Sequence, residues 1–335
     1  MASIAPPRRT PDVNLPPIPA PSVPRNSRGI PLPPVSLEPV TPLDLALLHD
    51  LPSLELRARF VMDGFLAGLH RSPRKGSSVE FAEYRDYQFG DDLRRIDWRL
   101  YGRTDRLHIK QTEHETQLRV FLVFDTSGSM KFSSRPGERL DKIDYARTVL
   151  AALGLLALRQ GDAFGLATVG TGLDDFLRPK ASPAHWRTLL GKLDALKIGG
   201  VTGLSHGLEQ LADVLPSRSL VIIASDFYSA AENFGPTLRR LRYDRHEVML
   251  VQVLDPVEID FSEEWSGTFI DAENGSRLVL DSAAVRDGYL KRMSAFLTQL
   301  ADSARAEGAD HVLLRTDSSP CDALGLYLAE RDRLI

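Results

Sequence analysis

Asp125, Ser127 and Ser129 are oxygen-bearing residues at alternate positions of the chain, and Gly128 separates the two serines. They follow a hydrophobic run, so the chain is expected to turn there at the end of a strand. One carboxylate and two hydroxyls with this spacing can converge on a cation if the turn curls around it. Such hard ligands, few of them charged, suit Mg2+ that keeps part of its water. Taken alone the pattern is weak evidence, because these residue types are also common in turns and helix caps.

Two further segments supply matching oxygen ligands. Gly199-Gly-Val-Thr202-Gly is expected to form a loop that presents a hydroxyl just before a helix, and Ser225-Asp226 ends another hydrophobic run. In an open α/β sheet, ligands bind outside the carboxyl ends of the strands. The sequence therefore predicts a divalent-cation site with Mg2+ as the expected ion, although another divalent cation would satisfy the same ligands. Its predicted ligands are Asp125, Ser127, Ser129, Thr202 and Asp226.

Helical and strand patterns alternate around these residues. Strands are predicted over residues 118–125, 163–169, 219–225, 247–254 and 311–315. Helices are predicted over residues 143–158, 185–196, 204–215, 283–306 and 321–330. The runs 219–225 and 247–254 are almost continuously apolar, as in strands that are buried on both faces. The pattern predicts an α/β fold with a doubly wound, mainly parallel sheet over residues 118–335. Asn274-Gly275 marks the turn of an inserted β-hairpin near residues 255–281.

The chain before residue 118 has a different character. Thirteen of the 22 prolines lie between Pro6 and Pro42, which predicts a disordered, proline-rich tail over residues 1–40. The tail is either a solubilising segment or a docking peptide for a proline-reading domain. Residues 41–117 are predicted to form an N-terminal helix and a small β-rich module with an inserted helix near residues 91–101. The helix, of about 17 residues, is expected to have one apolar face, formed by Leu54, Leu56, Phe60, Val61, Phe65 and Leu69.

Composition and charge limit the partners and the cellular setting that are expected for this chain. The net charge of −4 gives no broad attraction to a phosphate backbone, so nucleic acid is not expected as the principal partner. Cys321 is the only cysteine, which leaves no intramolecular disulfide and fits a reducing, cytoplasmic setting. The longest apolar run, residues 149–158, is far shorter than the roughly 20 residues that span a bilayer. No membrane insertion is therefore expected.

The segment Gly203-Leu-Ser205-His-Gly207 matches the Gly-x-Ser-x-Gly pattern of serine hydrolases. In those enzymes the serine follows a strand directly, whereas here a helix and a Gly-Gly loop precede it. The chain also lacks a Gly-x-x-x-x-Gly-Lys-Ser/Thr loop, so nucleotide hydrolysis is not expected. A hydrolase that uses Ser205 remains the alternative to a binding protein without enzymatic activity.

The stretch from Gly90 to Trp98 is rich in charge. Its first two acidic residues can cap a helix, and the charges that follow are available for ion pairs. The stretch serves either a structural role or a partner-binding surface. The candidate partner-binding residues are Asp91, Asp92, Arg94, Arg95, Asp97 and Trp98.

The three oxygen-bearing segments resemble the metal-ion-dependent adhesion site of the von Willebrand factor A fold, whose pattern is Asp-x-Ser-x-Ser, then Thr, then Asp. Carried over position by position, Ser127, Ser129 and Thr202 would bind the metal through their hydroxyls. Asp125 and Asp226 would act directly or through water. The resemblance also implies that a carboxylate from a bound client protein completes the coordination shell.

A second resemblance covers roughly residues 47–314. The stretches 80–87 and 90–98, with Arg103 and Leu254-Asp-Pro256, are similar to the bacterial family called domain of unknown function 58. Members of that family are commonly associated with MoxR-type AAA+ ATPases, thought to be chaperone-like remodelling machines. The resemblance implies that this chain is the metal-dependent adaptor of such an ATPase.

Overall fold

Helices and strands alternate along the computed structural model of this protein, which describes residues 42–71, 83–86, 101–103, 108–111, 118–200, 203–230, 234–261, 266–270, 277–321, 324–325 and 327. The helices are α1 (Pro42–Asp50), α2 (Leu54–Arg71), α3 (Lys142–Arg159), α4 (Pro183–Asp194), α5 (Leu204–Val214), α6 (Phe234–Tyr243), α7 (Pro256–Asp260) and α8 (Ser282–Ala306). The strands are β1 (Glu83–Asp86), β2 (His108–Gln111), β3 (Arg119–Asp125), β4 (Ala163–Val169), β5 (Leu173–Lys180), β6 (Ser219–Ser225), β7 (Glu247–Leu254), β8 (Ser266–Ile270), β9 (Arg277–Asp281) and β10 (Asp310–Arg315).

Six strands form the main sheet, in the order β10-β7-β6-β3-β4-β5. All neighbours are parallel except β5, which runs antiparallel to β4. In register, Arg119 of β3 lies opposite Ala163 of β4 and Ser219 of β6. The carboxyl ends of β3 and β6 therefore lie at the same edge of the sheet. This arrangement confirms the predicted α/β fold with a mainly parallel sheet.

Hydrophobic residues of β3 alternate between two cores, one on each face of the sheet. Leu122 and Phe124 belong to the first cluster, together with residues of α2, α3 and α4. Val123 belongs to the second cluster, together with residues of α5, α6 and α8. Side chains of a strand point alternately to its two faces, and here both faces are covered by helices. The doubly wound arrangement is therefore present.

Helix α3 is buried on almost every side because it lies between the sheet and a second layer of helices. It packs against β3 and β4 on one side and against α2 and α4 on the other. Fourteen of its residues are buried, including every position from Val149 to Ala157. This packing explains why the second half of the helix is wholly apolar in sequence. None of the helices within the described ranges is both long and apolar enough to span a membrane.

The predicted inserted hairpin is present, because β8 and β9 pair antiparallel with Ser266 opposite Asp281. Its predicted turn at 274–275 lies outside the described residues. In the predicted β-rich module, β1 and β2 form an antiparallel pair, and the helix predicted near residues 91–101 is described only at 101–103. The predicted closing helix is described at 321, 324–325 and 327, and the proline-rich tail lies outside the described residues.

Strand β5 and the helices α6 and α7 were not predicted, and the prediction that Leu56 lies on the buried face of α2 was wrong. Strand β5 contains Pro179 and acidic residues, and it forms an edge of the sheet where such residues are tolerated. Helix α6 has a Gly-Pro pair and three arginines, which weaken its apolar pattern. Leu56 is 44% exposed, because the buried face of α2 is formed by Leu54, Ala58, Val61, Met62 and Phe65.

Candidate metal-binding site

The Asp-x-Ser-x-Ser segment forms a tight loop directly after β3. Asp125 ends the strand, and its carboxylate accepts a hydrogen bond from the backbone N–H of Ser127 at 2.9 Å. The hydroxyls of Ser127 and Ser129 lie 3.0 Å apart. A 3-10 turn, Gly128–Lys131, continues the chain. The loop thus brings three of the predicted oxygen ligands to one place.

The end of β6 lies beside this loop. The hydroxyl of Ser225 donates to the second carboxylate oxygen of Asp125 at 2.5 Å and accepts the backbone N–H of Phe227 at 2.8 Å. Asp226 follows, and its carboxylate accepts the backbone N–H of Tyr228 at 3.3 Å. Phe227 has a φ of 61°, in the left-handed region where a bulky residue is strained. The strain lies in the turn that positions the carboxylate of Asp226.

The glycine-rich loop before α5 is attached to the same place by its backbone. Gly199 and Gly200 form hydrogen bonds of 3.0 and 3.2 Å with the backbone of the Asp-x-Ser-x-Ser loop. Gly203 donates to the carbonyl of Gly170, after β4, at 2.6 Å. Thr202 itself lies outside the described residues. Gly200 and Gly203, the nearest described residues on either side of it, are therefore held at the carboxyl edge of the sheet.

Two buried carboxylates lie close together in this site. Asp125 and Asp226 are each 1% exposed. Burial, and then the negative charge of Asp226, raise the pKa of Asp125 to about 6, while hydrogen bonds from Ser225 and Ser127 oppose the rise. A cation between or beside the two carboxylates would relieve this repulsion.

Lys142, which the sequence analysis did not single out, already supplies one positive charge. It is the first residue of α3, its side chain is fully buried, and its Nζ lies 2.9 Å from Asp226 Oδ2 and 2.8 Å from Glu258 Oε1. The rings of Tyr228 and Phe132 lie 5.3 and 5.9 Å from the ammonium. Burial by itself would lower the pKa of Lys142, but the two carboxylates raise it above its usual value. The lysine is therefore charged in the fold.

The loop after β7 positions Glu258. Asp255 caps α7 by accepting the backbone N–H of Val257 at 2.9 Å, and the Glu258 side chain accepts the backbone N–H of Asp255 at 2.8 Å. Asp255 also accepts the backbone N–H of Ser134 at 3.0 Å and contacts Arg139 at 3.4 Å. An acidic residue followed three positions later by Glu is the spacing of a capping box, and this signal could have located α7 from sequence.

A polar pair, the fully buried Gln252 and the partly buried His311, supports the backbone of Asp226. The amide nitrogen of Gln252 donates to the backbone carbonyl of Asp226 at 3.2 Å, and its amide oxygen lies 3.0 Å from His311 Nε2. Since an amide oxygen cannot donate, the His311 nitrogen is the donor. Burial lowers the pKa of His311 to about 4, so the ring is neutral at neutral pH.

The residues that the structure describes fit a hard divalent cation. Asp125, Asp226, Ser127 and Ser129 provide carboxylate and hydroxyl oxygens, the ligand types that Mg2+ prefers. Within the described ranges, no three or more His, Cys, Asp or Glu side chains are grouped so that they could hold a metal. The candidate site consequently depends on hydroxyls as well as carboxylates.

The candidate partner-binding residues, Asp91, Asp92, Arg94, Arg95, Asp97 and Trp98, lie outside the described residues. Ser205 lies in the first turn of α5 and not directly after a strand. The glycines around it have a packing explanation, because a Cβ on Gly203 would lie 2.5 Å from the carbonyl oxygen of Thr171. A Cβ on Gly207 would lie 2.3 Å from Val169.

Comparisons with known sequences match a family described as protein of unknown function DUF58 over residues 83–296. An uncharacterized protein of Mycobacterium tuberculosis is 30% identical over 294 residues, which cover 87% of this chain and 91% of that protein. A counterpart in Mycobacterium bovis shows the same values.

Comparisons with solved structures match domains of low sequence identity. The conserved hypothetical protein BatB from Bacteroides thetaiotaomicron is 12% identical, with 64% of this chain and 99% of that chain covered and a TM-score of 0.45. The SpRpn10 VWA domain is 10% identical, with 63% and 95% covered and a TM-score of 0.41.

Proposed function

This chain belongs to the protein family DUF58, and from that premise we propose that it is a metal-dependent protein-binding adaptor. Family membership and the α/β fold with a mainly parallel, von Willebrand factor A-like sheet suggest a protein-interaction domain. The metal dependence, the partner and the cellular role are the proposed part. The adaptor would work with a MoxR-type AAA+ ATPase in chaperone-like remodelling or complex maturation.

The observation that supports this proposal best is the meeting of two loops at one sheet edge. The Asp125 carboxylate is joined to the Ser127 backbone at 2.9 Å and to the Ser225 hydroxyl at 2.5 Å, so the ends of β3 and β6 form one unit. Asp226 and the paired hydroxyls of Ser127 and Ser129 belong to the same unit. These residues would hold Mg2+.

A bound ion would supply an attachment point for a carboxylate of the partner protein. Ser129 is the predicted ligand suited to testing this contact, because it is only partly buried whereas Ser127 is 1% exposed. The choice of a MoxR-type ATPase rests on the family resemblance, and the client protein is defined only by the carboxylate that it offers.

The test is a binding measurement between the full chain and a MoxR-type ATPase encoded by the same organism. We expect binding with Mg2+, weaker binding with chelator, and weaker binding by Ser129→Ala and Thr202→Ala in the presence of Mg2+. Ser205→Ala is the matched control, because it removes a serine hydroxyl from the first turn of α5. Equal affinity under all these conditions would contradict the proposal.

The same Ser205→Ala protein tests the hydrolase alternative. If the wild-type protein cleaved ester or peptide substrates and Ser205→Ala lost that activity, the adaptor proposal would be replaced. We expect no turnover by either protein, since Ser205 lies within a helix turn and not at a strand-to-helix elbow.

A further inference from the structure

A fully buried lysine lies beside one of the carboxylates that the adaptor proposal assigns to a metal. Lys142 Nζ contacts Asp226 Oδ2 at 2.9 Å and Glu258 Oε1 at 2.8 Å, and its side chain is 0% exposed. A buried ammonium is costly unless it is paired and hydrogen-bonded. These two carboxylates pair it, and the faces of Tyr228 and Phe132 surround it further.

Lys142 pairs with Asp226, which is one of the proposed metal ligands. One carboxylate oxygen of Asp226, Oδ2, pairs with Lys142, and the other, Oδ1, accepts the backbone N–H of Tyr228. Both oxygens of this predicted ligand therefore already have partners within the chain. A metal that bound Asp226 would have to share the carboxylate with the ammonium or displace it.

The charges of the surrounding side chains also indicate that Lys142 and a metal ion compete for the same carboxylates. Asp125, Asp226 and Glu258 contribute three negative charges when ionised, and Lys142 contributes one positive charge. Asp255 is paired separately with Arg139. A divalent cation would balance the remaining charge, while the nearby ammonium would repel it. Lys142 thus stabilises the carboxylates and opposes the metal at the same time.

We infer that Lys142 is a tethered counter-cation of the metal site: it pairs with Asp226 and Glu258 without metal and lowers the affinity of the site for metal. This inference rests on the proposed metal-dependent function. It predicts that the fold keeps its acidic cluster assembled in the metal-free state, and that metal binding is weaker than the oxygen ligands alone would give.

The test compares wild type with Lys142→Met as full chains, by calorimetric titration with Mg2+ and with Mn2+. Removing a charge this close should lower the dissociation constant of the metal by about tenfold or more. In chelator, Lys142→Met should melt at a lower temperature than wild type, because Asp226 and Glu258 lose their counter-charge. Saturating metal should recover more of the melting temperature in the variant than it adds in wild type.

Two lysine variants serve as controls. Lys142→Arg keeps the positive charge and should bind metal within about threefold of wild type. Lys192→Met removes a lysine from α4 that pairs with Asp175 of β5, and it should leave the dissociation constant unchanged. If Lys192→Met lowered the dissociation constant of the metal as much as Lys142→Met does, the effect would come from the loss of any positive charge. This result would contradict the inference.

Glu258→Gln covers the case in which Lys142→Met does not fold. This variant leaves Lys142 with Asp226 as its acidic partner and removes one negative charge, so it should weaken metal binding several-fold although Glu258 is not a proposed ligand. Unchanged metal affinity in Glu258→Gln would overturn the inference.

The outcomes separate the two proposals. If wild type binds metal and Lys142→Met binds it no more tightly, the inference fails while the metal site stands. If no protein in the series binds metal, the proposed metal dependence fails and the inference fails with it. If Lys142→Met binds metal and wild type does not, the inference is supported and the lysine takes the place of the ion in the natural protein.

Discussion

Ser225 is the residue whose single hydroxyl joins the two halves of the candidate site. It donates to Asp125 and accepts the backbone N–H of Phe227, and its side chain is 0% exposed. Its loss would leave a buried N–H and a buried carboxylate each short of one hydrogen bond. Leaving buried polar groups unsatisfied costs more than a single hydrogen bond contributes.

We therefore expect Ser225→Ala to lower the free energy of unfolding by about 2 kcal/mol. Chemical denaturation in chelator measures this change without a contribution from metal. Ser205→Ala, in the first turn of α5, should change it by less than about 0.5 kcal/mol. If both variants were equally stable, the hydrogen bonds of Ser225 would not contribute to the fold.

His311 gives the fold a pH dependence with a defined sign. Burial lowers its pKa to about 4, whereas the unfolded chain has the ordinary value of 6.5. Between these values the unfolded state binds more protons, so this residue stabilises the fold at neutral pH and loses that contribution as pH falls from about 6.5 to 4. Asp125 acts in the opposite direction, because its raised pKa makes its contribution fall as pH rises from about 4 to 6.

Substitution of His311 by glutamine isolates its contribution. The glutamine amide can still donate to Gln252, but it does not titrate. Urea unfolding at pH 4.5 and pH 7 should show that wild type loses more stability than His311→Gln on acidification, by up to about 3 kcal/mol. A difference between the two proteins that is constant with pH would show that His311 is not held neutral by burial.

At the scale of elements, the glycine-rich start of α5 fits closely against the turn after β4. A Cβ at position 207 would lie 2.3 Å from Val169 and 2.9 Å from the carbonyl oxygen of Gly172. The helix can approach this turn because Gly207 has no side chain. The residue before the helix contacts the same turn, since Gly203 donates to the carbonyl of Gly170 at 2.6 Å.

Gly207→Ala should therefore destabilise the protein, by about 1–3 kcal/mol, although alanine favours a helix more than glycine does. Gly191→Ala in α4 is the matched control, because nothing lies within 4 Å of the added Cβ there. That substitution should raise the free energy of unfolding by up to about 1 kcal/mol. Denaturant midpoints that shift in the same direction for both variants would contradict the close packing of α5.

Strands buried on both faces were predictable from sequence, whereas β5, at one edge of the sheet, was not. The predicted bounds of β4, β6 and β7 agree with the structure because continuous apolar runs have few alternatives once turns limit them. Strand β5 and helix α6 were missed. Their sequences carry proline and charge that an edge strand and a half-exposed helix tolerate.

The candidate site was predictable where its residues follow strands. Asp125, Ser127, Ser129 and Asp226 come together because parallel strands end at one edge of the sheet. Lys142 was not predicted, since it pairs with Asp226 across 84 residues and with Glu258 across 116. A lysine at the start of a helix is usually solvated, and only the folded arrangement places it among carboxylates.

At the scale of the whole molecule, the last part of the chain is joined to the start of the central strand. Tyr327 is fully buried and its hydroxyl donates to Asp162 at 3.0 Å. Asp162 also accepts the backbone N–H of Leu118 at 3.2 Å, at the end of the sheet opposite to the candidate site. Leu324 is fully buried in the same core as α2 and α3.

The two ends of the chain should therefore respond differently to truncation. Deletion of residues 321–335 removes Leu324 and Tyr327 from the core and should cost at least about 3 kcal/mol, which lowers the thermal midpoint by roughly 6 °C or more. Deletion of residues 1–39 removes a proline-rich segment without apolar periodicity and should shift the midpoint by less than about 2 °C. Tyr327→Phe, which loses only the hydrogen bond to Asp162, should give an intermediate loss of about 1 kcal/mol. Thermal melts of the three proteins beside wild type decide the matter, because an N-terminal deletion as damaging as the C-terminal one would mean that the proline-rich segment also packs on the core.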